Sequence, residues 1–165
     1  MVAIPIQGAL LSGLYVLIAL GFTMIYGVGR VLNLAHAGYV MVAAYIYYQA
    51  SQVLMLPVGL SMLIAIASSA GFSIATYAGL VRRFLFNPTI VFVSTFILAL
   101  VMDYAVVIVW HTETINVWPI MSGVTDVFGY SVSNNLVVAL IVSWLCIGGV
   151  LLFVRRTHLG RAMQA

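Results

Sequence analysis

Residues 31–81, VLNLAHAGYVMVAAYIYYQASQVLMLPVGLSMLIAIASSAGFSIATYAGLV, contain no Asp, Glu, Lys or Arg. A helix needs about 20 apolar residues to cross roughly 30 Å of hydrocarbon, so this run has room for two spans. Leu56-Pro57-Val58-Gly59 divides them, because Pro and Gly interrupt a helix. The same reading extends in both directions. The uncharged stretch from Met1 to Gly29 holds one span, Ile4–Val28. A fourth runs from Pro88 to Trp110, and a fifth from Asn135 to Val154. Asn87-Pro88 reads as a helix start, with Asn as N-cap and Pro at the first helical position. The tightest connection is between the first two spans, where Gly29 to Leu32 must form the turn. The expected fold class is an all-α integral membrane protein, a bundle of about five transmembrane helices.

Composition agrees. Of 165 residues, 65% are hydrophobic and 5% charged, with a formal net charge of +3. An ordinary soluble domain is about 25% charged. That contrast argues against a soluble enzyme. The six basic residues are all Arg and are scattered, which argues against a nucleic-acid partner. Disorder needs low hydrophobicity and is excluded. Cys146 is the single cysteine, so an intrachain disulfide or a Cys-based zinc site is ruled out. No basic residue precedes the first apolar run, so it does not read as a secretory signal.

Five spans place all six Arg residues on one face: Arg30, Arg82, Arg83, Arg155, Arg156 and Arg161. The positive-inside rule makes that face cytoplasmic, with the N-terminus outside and the C-terminus inside. The opposite face receives Glu113 and Asp126 within the polar segment His111–Asn134. Trp110, Trp118 and Tyr130 flank that segment as interfacial aromatics, and Tyr45, Tyr47 and Tyr48 end the second span on the same side.

Three sets of residues stand out. Asp103 is the only acid inside an expected span, and an intramembrane carboxylate is costly enough to suggest a pathway or relay. The plainer reading is a protonated Asp, or one bonded to a neighbouring helix. Asn33 and His36 lie three apart, on one helical face. They read either as a helix cap with an interfacial His, or as a broken helix near Asn33–Gly38 that faces a solute path. Ala67, Gly71, Ala75 and Gly79, spaced by four, suit close helix packing in lipid. Gly8, Ser12, Ala9 and Gly13 form a shorter version in the first span. His111 and His158 fall on opposite faces, so no metal site is expected. No Gly-rich phosphate loop is present, so the chain is not expected to hydrolyse ATP itself.

Three stretches carry a family resemblance. Gly13-Leu14-Tyr15-Val16-Leu17-Ile18-Ala19-Leu20-Gly21-Phe22-Thr23-Met24-Ile25-Tyr26-Gly27, followed by Val31-Leu32-Asn33-Leu34-Ala35-His36, resembles the first conserved block of the branched-chain amino-acid ABC-transporter permeases. Phe153-Val154-Arg155-Arg156-Thr157-His158-Leu159-Gly160-Arg161-Ala162-Met163-Gln164-Ala165 looks like the approach to that family's ATPase-coupling segment. Val81-Arg82-Arg83-Phe84-Leu85-Phe86-Asn87-Pro88 resembles the segment before its fourth span. One departure is clear: the family's His-Gly-Glu is His36-Ala37-Gly38 here, so the usual carboxylate is missing.

The resemblance implies a non-enzymatic permease subunit of an ATP-driven importer in the inner membrane of a prokaryote. Branched-chain amino acids (Leu, Ile, Val) are the expected substrates, with urea or short amides as the alternative within the family. A non-transporting truncated membrane scaffold is the alternative outside transport. The implied partners are a second permease subunit, cytoplasmic ATP-binding subunits and an extracytoplasmic solute-binding protein, besides the lipid bilayer. ATP is then hydrolysed by the partners, and no cofactor is expected on this chain. Arg155, Arg156, Leu159, Gly160, Arg161 and Ala162 take the coupling role by resemblance. Residues 1–165 correspond to a partial permease domain, the N-terminal half of a family member.

Overall fold

The computed structural model describes residues 3–111, 115–119, 121–127 and 130–156. Five α-helices are present among them: α1 (Ala3–Gly29), α2 (His36–Tyr48), α3 (Val58–Gly79), α4 (Pro88–Trp110) and α5 (Asn134–Arg156). A π-helical turn, Gln49–Val53, continues α2, and a 3-10 turn, Val81–Arg83, follows α3. Two short strands, β1 (Val124–Val127) and β2 (Tyr130–Ser133), pair antiparallel. The chain is thus an all-α membrane protein, with one small strand pair outside the helices among the described residues.

Four helices, α1, α3, α4 and α5, are long and apolar enough to cross a membrane. The other, α2, has 13 residues. At 1.5 Å per residue it reaches only about 20 Å. It is shorter than the sequence suggests because residues 33–35 join the non-helical turn and Gln49–Val53 is π-helical. Large apolar side chains stand exposed along the spans, among them Leu63, Ile66, Ile74, Ile108 and Leu145. Such a surface calls for lipid or partner helices.

The molecule divides into two compact units. One contains α1, the hairpin and α5. Here Gly13 of α1 is buried, and a Cβ at that position would lie 2.8 Å from Leu140 Cδ1 and 3.4 Å from Ser143 Cβ. The Ser143 hydroxyl donates back to Ala139 O at 2.7 Å, so its polar group is satisfied inside α5. The hairpin, which the sequence reading left as a polar segment, is tied to the start of α5. Asn134 N–H donates to Gly123 O (3.1 Å), and Thr125 Oγ1 donates to Asn134 Oδ1 (2.6 Å). Gly123 has φ +115°, a conformation that suits glycine. Ser131 Oγ donates across the strands to Asp126 Oδ1 at 2.7 Å.

The other unit, Gly29–Trp118, contains α2, α3 and α4. The helices α2 and α3 form a hairpin through residues 54–57, and Ser69 Oγ of α3 donates to Tyr39 O of α2 at 3.3 Å. Contacts between α2 and α4 ascend both helices together. Gly38 meets Met102, the Tyr45 and Trp110 rings lie 5.2 Å apart, and Trp110 Nε1 donates to Gln49 Oε1 at 3.2 Å. The two therefore run parallel. Val91, Thr95, Met102 and Val106 are the buried face of α4, spaced by one or two turns. Pro88 stands at its first position as expected, but Asn87 makes no side-chain cap. Its backbone carbonyl instead accepts from Ile90 and Val91 at 3.0 and 3.2 Å.

Candidate functional site

The break between α1 and α2 is built from a few local rules. α1 ends at Gly29, and Arg30 takes a left-handed φ of 50°, the conformation that commonly ends a helix. Asn33 then folds its side chain onto the backbone, where Oδ1 accepts from Ala35 N–H at 3.0 Å. This is the local turn that Asn side chains favour. Asn33 is only 8% exposed, so its carboxamide has to be bonded. Ala35 O accepts from Tyr39 N–H at 3.1 Å, and α2 begins at His36.

The break is fastened to α4. Thr95 is fully buried, and its hydroxyl accepts from Leu34 N–H at 3.2 Å while donating to Val91 O at 2.8 Å. One hydroxyl thus satisfies a backbone donor that the break would otherwise orphan. Val31 packs with Val81 and Val91, with Leu80 and Leu85 around them. This places Arg30 at the same end of the unit as Arg82 and Arg83. One turn into α2, a Cβ on Gly38 would lie 2.9 Å from Met102 Sδ, so α2 and α4 approach closely. Tyr39 is 3% exposed, packed with Ala35 and Met102, and its hydroxyl has no hydrogen-bond partner among the described residues.

Asn33 and His36 therefore lie together, at the end of the break and the first residue of α2; His36 is half-buried. Asp103 does not join them. It is exposed on α4, eight residues beyond Thr95, or about 12 Å along the helix axis. The stripe Ala67, Gly71, Ala75 and Gly79 is exposed, and a Cβ on Gly71 or Gly79 would meet nothing within 4 Å. The α3 residues turned inward are Ser61 and Ala65, with Ser69 reaching Tyr39. Arg155 and Arg156 end α5 and are exposed. Leu159, Gly160, Arg161 and Ala162 lie outside the described residues, as do Glu113 and His158. Sequence reading missed Thr95 and Tyr39. A Thr in an apolar helix signals only a bond to its own preceding turn, and an intramembrane Tyr resembles any interfacial aromatic.

Comparison with known proteins settles the family. Residues 4–165 match the family described as branched-chain amino acid transport system / permease component. The chain belongs to that family. This permease chain is 30% identical to the high-affinity branched-chain amino acid transport system permease protein BraD of Pseudomonas aeruginosa, over 97% of this chain and 57% of that protein. It is 24% identical to LivH of Salmonella typhimurium and 23% identical to LivH of Escherichia coli, each over 96% of this chain and 56% of the relative. The chain spans about half the length of the curated relatives it matches. No solved structure gives a significant match.

Proposed function

We propose that the chain is a transmembrane permease subunit of an ATP-driven importer for branched-chain amino acids. The observation that carries this reading is the permease match over residues 4–165, laid on four helices able to cross a membrane. The named activity of the relatives supplies the substrate class. The chemistry expected of the subunit is passage rather than catalysis, with ATP hydrolysed by cytoplasmic partners and no cofactor held here. A second permease subunit and an extracytoplasmic binding protein complete the proposed assembly, in the inner membrane of a prokaryote.

The orientation follows from charge. Arg30, Arg82 and Arg83 share one end of their unit, which we assign to the cytoplasm. The break at residues 30–35 then lies near the inner surface. There Asn33 and Thr95 give acceptors to the N–H groups of Ala35 and Leu34, the kind of bonding that irregular backbone at membrane depth requires. Arg155 and Arg156, with Leu159, Gly160, Arg161 and Ala162 by resemblance, are proposed to meet the ATP-binding subunit. Nucleotide-driven closure there supplies the differential contacts that shift a helix assembly between inward and outward states.

Reconstitution tests the assembly. Vesicles containing this protein, its neighbouring permease, ATP-binding and binding-protein partners should accumulate labelled leucine only with internal ATP, and unlabelled isoleucine or valine should compete. Competition by urea alone would move the reading to the amide carriers. ATP-independent equilibration would favour a channel. In the same vesicles, Asn33→Leu and His36→Leu should lower uptake at equal incorporation.

A further inference from the structure

Arg30, Arg82 and Arg83 come from two separate connections, and one apolar cluster brings them together. Arg30 precedes Val31 and Arg82 follows Val81, and these two valines pack together with Val91. The valines are buried, whereas the three Arg residues are exposed. None of the three makes a side-chain hydrogen bond or ion pair among the described residues. No acid of their unit stands close enough to compensate them. The first acid in the sequence is Asp103, about 22 Å along α4 from Pro88. Glu113 follows the far end of that helix in sequence, after Trp110, which is about 33 Å from Pro88.

The connection that carries Arg82 and Arg83 stays at the membrane surface. α3 ends at Gly79 and α4 begins at Pro88, and both are long and apolar enough to cross a membrane. The residues between them are tightly wound. Arg83 N–H donates to Leu80 O at 3.2 Å, Phe84 N–H to Val81 O at 3.1 Å, and Asn87 N–H to Phe84 O at 2.8 Å. Such a turn holds the two Arg residues where the spans emerge, at the level of lipid headgroups. Phe86 stands in the same turn and is 96% exposed. A large apolar side chain without protein cover, beside cations, is the pairing found on surfaces that lie in the headgroup–acyl boundary.

We propose that Arg30, Arg82 and Arg83 bind the headgroup of an anionic phospholipid, with Phe86 inserted beside its glycerol and acyl carbons. The chemistry selects that class. A guanidinium fork meets phosphate oxygens two bonds at a time. Basic pockets between membrane helices bind such headgroups. A zwitterionic lipid brings its own cation to a patch that is already uncompensated, so the net negative lipid is preferred. An acidic protein surface would meet the same charges, but an exposed Phe at the foot of two spans favours lipid. The inference rests on the membrane fold alone and is independent of the solute that the subunit carries.

Native mass spectrometry reads the site. The full chain in dodecyl maltoside is titrated with dioleoyl phosphatidylglycerol or dioleoyl phosphatidylcholine, and the retained lipid is counted. The half-saturating concentration should be about tenfold lower, or more, for phosphatidylglycerol. Arg82→Gln with Arg83→Gln should abolish most of that preference. Arg155→Gln with Arg156→Gln removes the same charge from the end of α5 and should leave the preference in place. Equal affinity for the two lipids, a preference that survives Arg82→Gln with Arg83→Gln, or an equal loss in both pairs overturns the site. Glycerol 3-phosphate bound as tightly as phosphatidylglycerol would assign the patch to a soluble phosphate and overturn the lipid. Absence of a lipid preference, with capture of the ATP-binding subunit lost in Arg82→Gln with Arg83→Gln, would assign it to a protein surface and overturn it equally. Depth measurement keeps the test decisive if that variant misfolds. A nitroxide on Phe86→Cys, in a Cys146→Ser background in phosphatidylglycerol vesicles, should be more accessible to oxygen than to a nickel chelate. The reverse order places residue 86 in water and overturns the insertion.

Discussion

Thr95→Val isolates the fastening of the break to α4. Valine keeps the branched shape, so packing against Val91 is conserved and only the hydroxyl is lost. Leu34 N–H then loses its acceptor at 3.2 Å. Val91 O loses the 2.8 Å contact from the side chain. A buried donor left unsatisfied costs about 1–3 kcal/mol. At about 1.4 kcal/mol per tenfold, the local opening equilibrium of the break rises roughly 5- to 140-fold. Hydrogen–deuterium exchange with mass spectrometry, on peptides covering residues 31–38 in nanodiscs, reads that equilibrium directly. Protection there should fall by this factor while peptides within α5 exchange as before. Thr95→Ser retains the hydroxyl and should retain most of the protection. Exchange of residues 31–38 within twofold of the parent in Thr95→Val would refute the argument that this hydroxyl anchors the break.

Tyr39→Phe removes a buried hydroxyl with no partner among the described residues, so stability toward SDS unfolding should hold or rise by up to about 1 kcal/mol; a loss larger than that would show that the hydroxyl is bonded. Gly13→Val drives a branched side chain into Leu140 and should cost about 1–3 kcal/mol in the same titration, unlike Gly8→Val, where the space is open; equal behaviour of the two would count against the α1–α5 contact. Met55→Cys and Phe84→Cys, each in a Cys146→Ser background, sit at opposite ends of the α2–α4 unit and should label with impermeant maleimide from outside and inside respectively; labelling of both from one side defeats the proposed orientation.

Most helix positions were legible because a span is defined by length and apolarity, which a sequence displays. Pro88–Trp110 is helical over the expected residues, and α5 begins at Asn134, one residue before the expected start. The break near Asn33 was legible as an interruption, since Gly29, Arg30 and Asn33 each disfavour continued helix. Its anchor was not. The Leu34–Thr95 bond joins residues 61 apart, and such a pairing leaves no local trace. In the stripe from Ala67 to Gly79, small residues at intervals of four permit close packing but do not choose the partner; α2 packs on another face of α3, and the stripe stands exposed. The hairpin was overlooked because Val124-Thr125-Asp126-Val127 is short and sits in a polar stretch, although its β-branched residues favour a strand.

Leucine uptake by cells is the most direct measure of the central claim. A strain lacking this gene, with its neighbouring transport genes intact, should take up labelled leucine at low external concentration far more slowly than its parent. Restoring the gene should recover the rate, and that recovery should vanish when cellular ATP is depleted. Uptake of leucine, isoleucine and valine unchanged by loss of the gene, under conditions in which the protein is present in the parent membrane, would contradict the account.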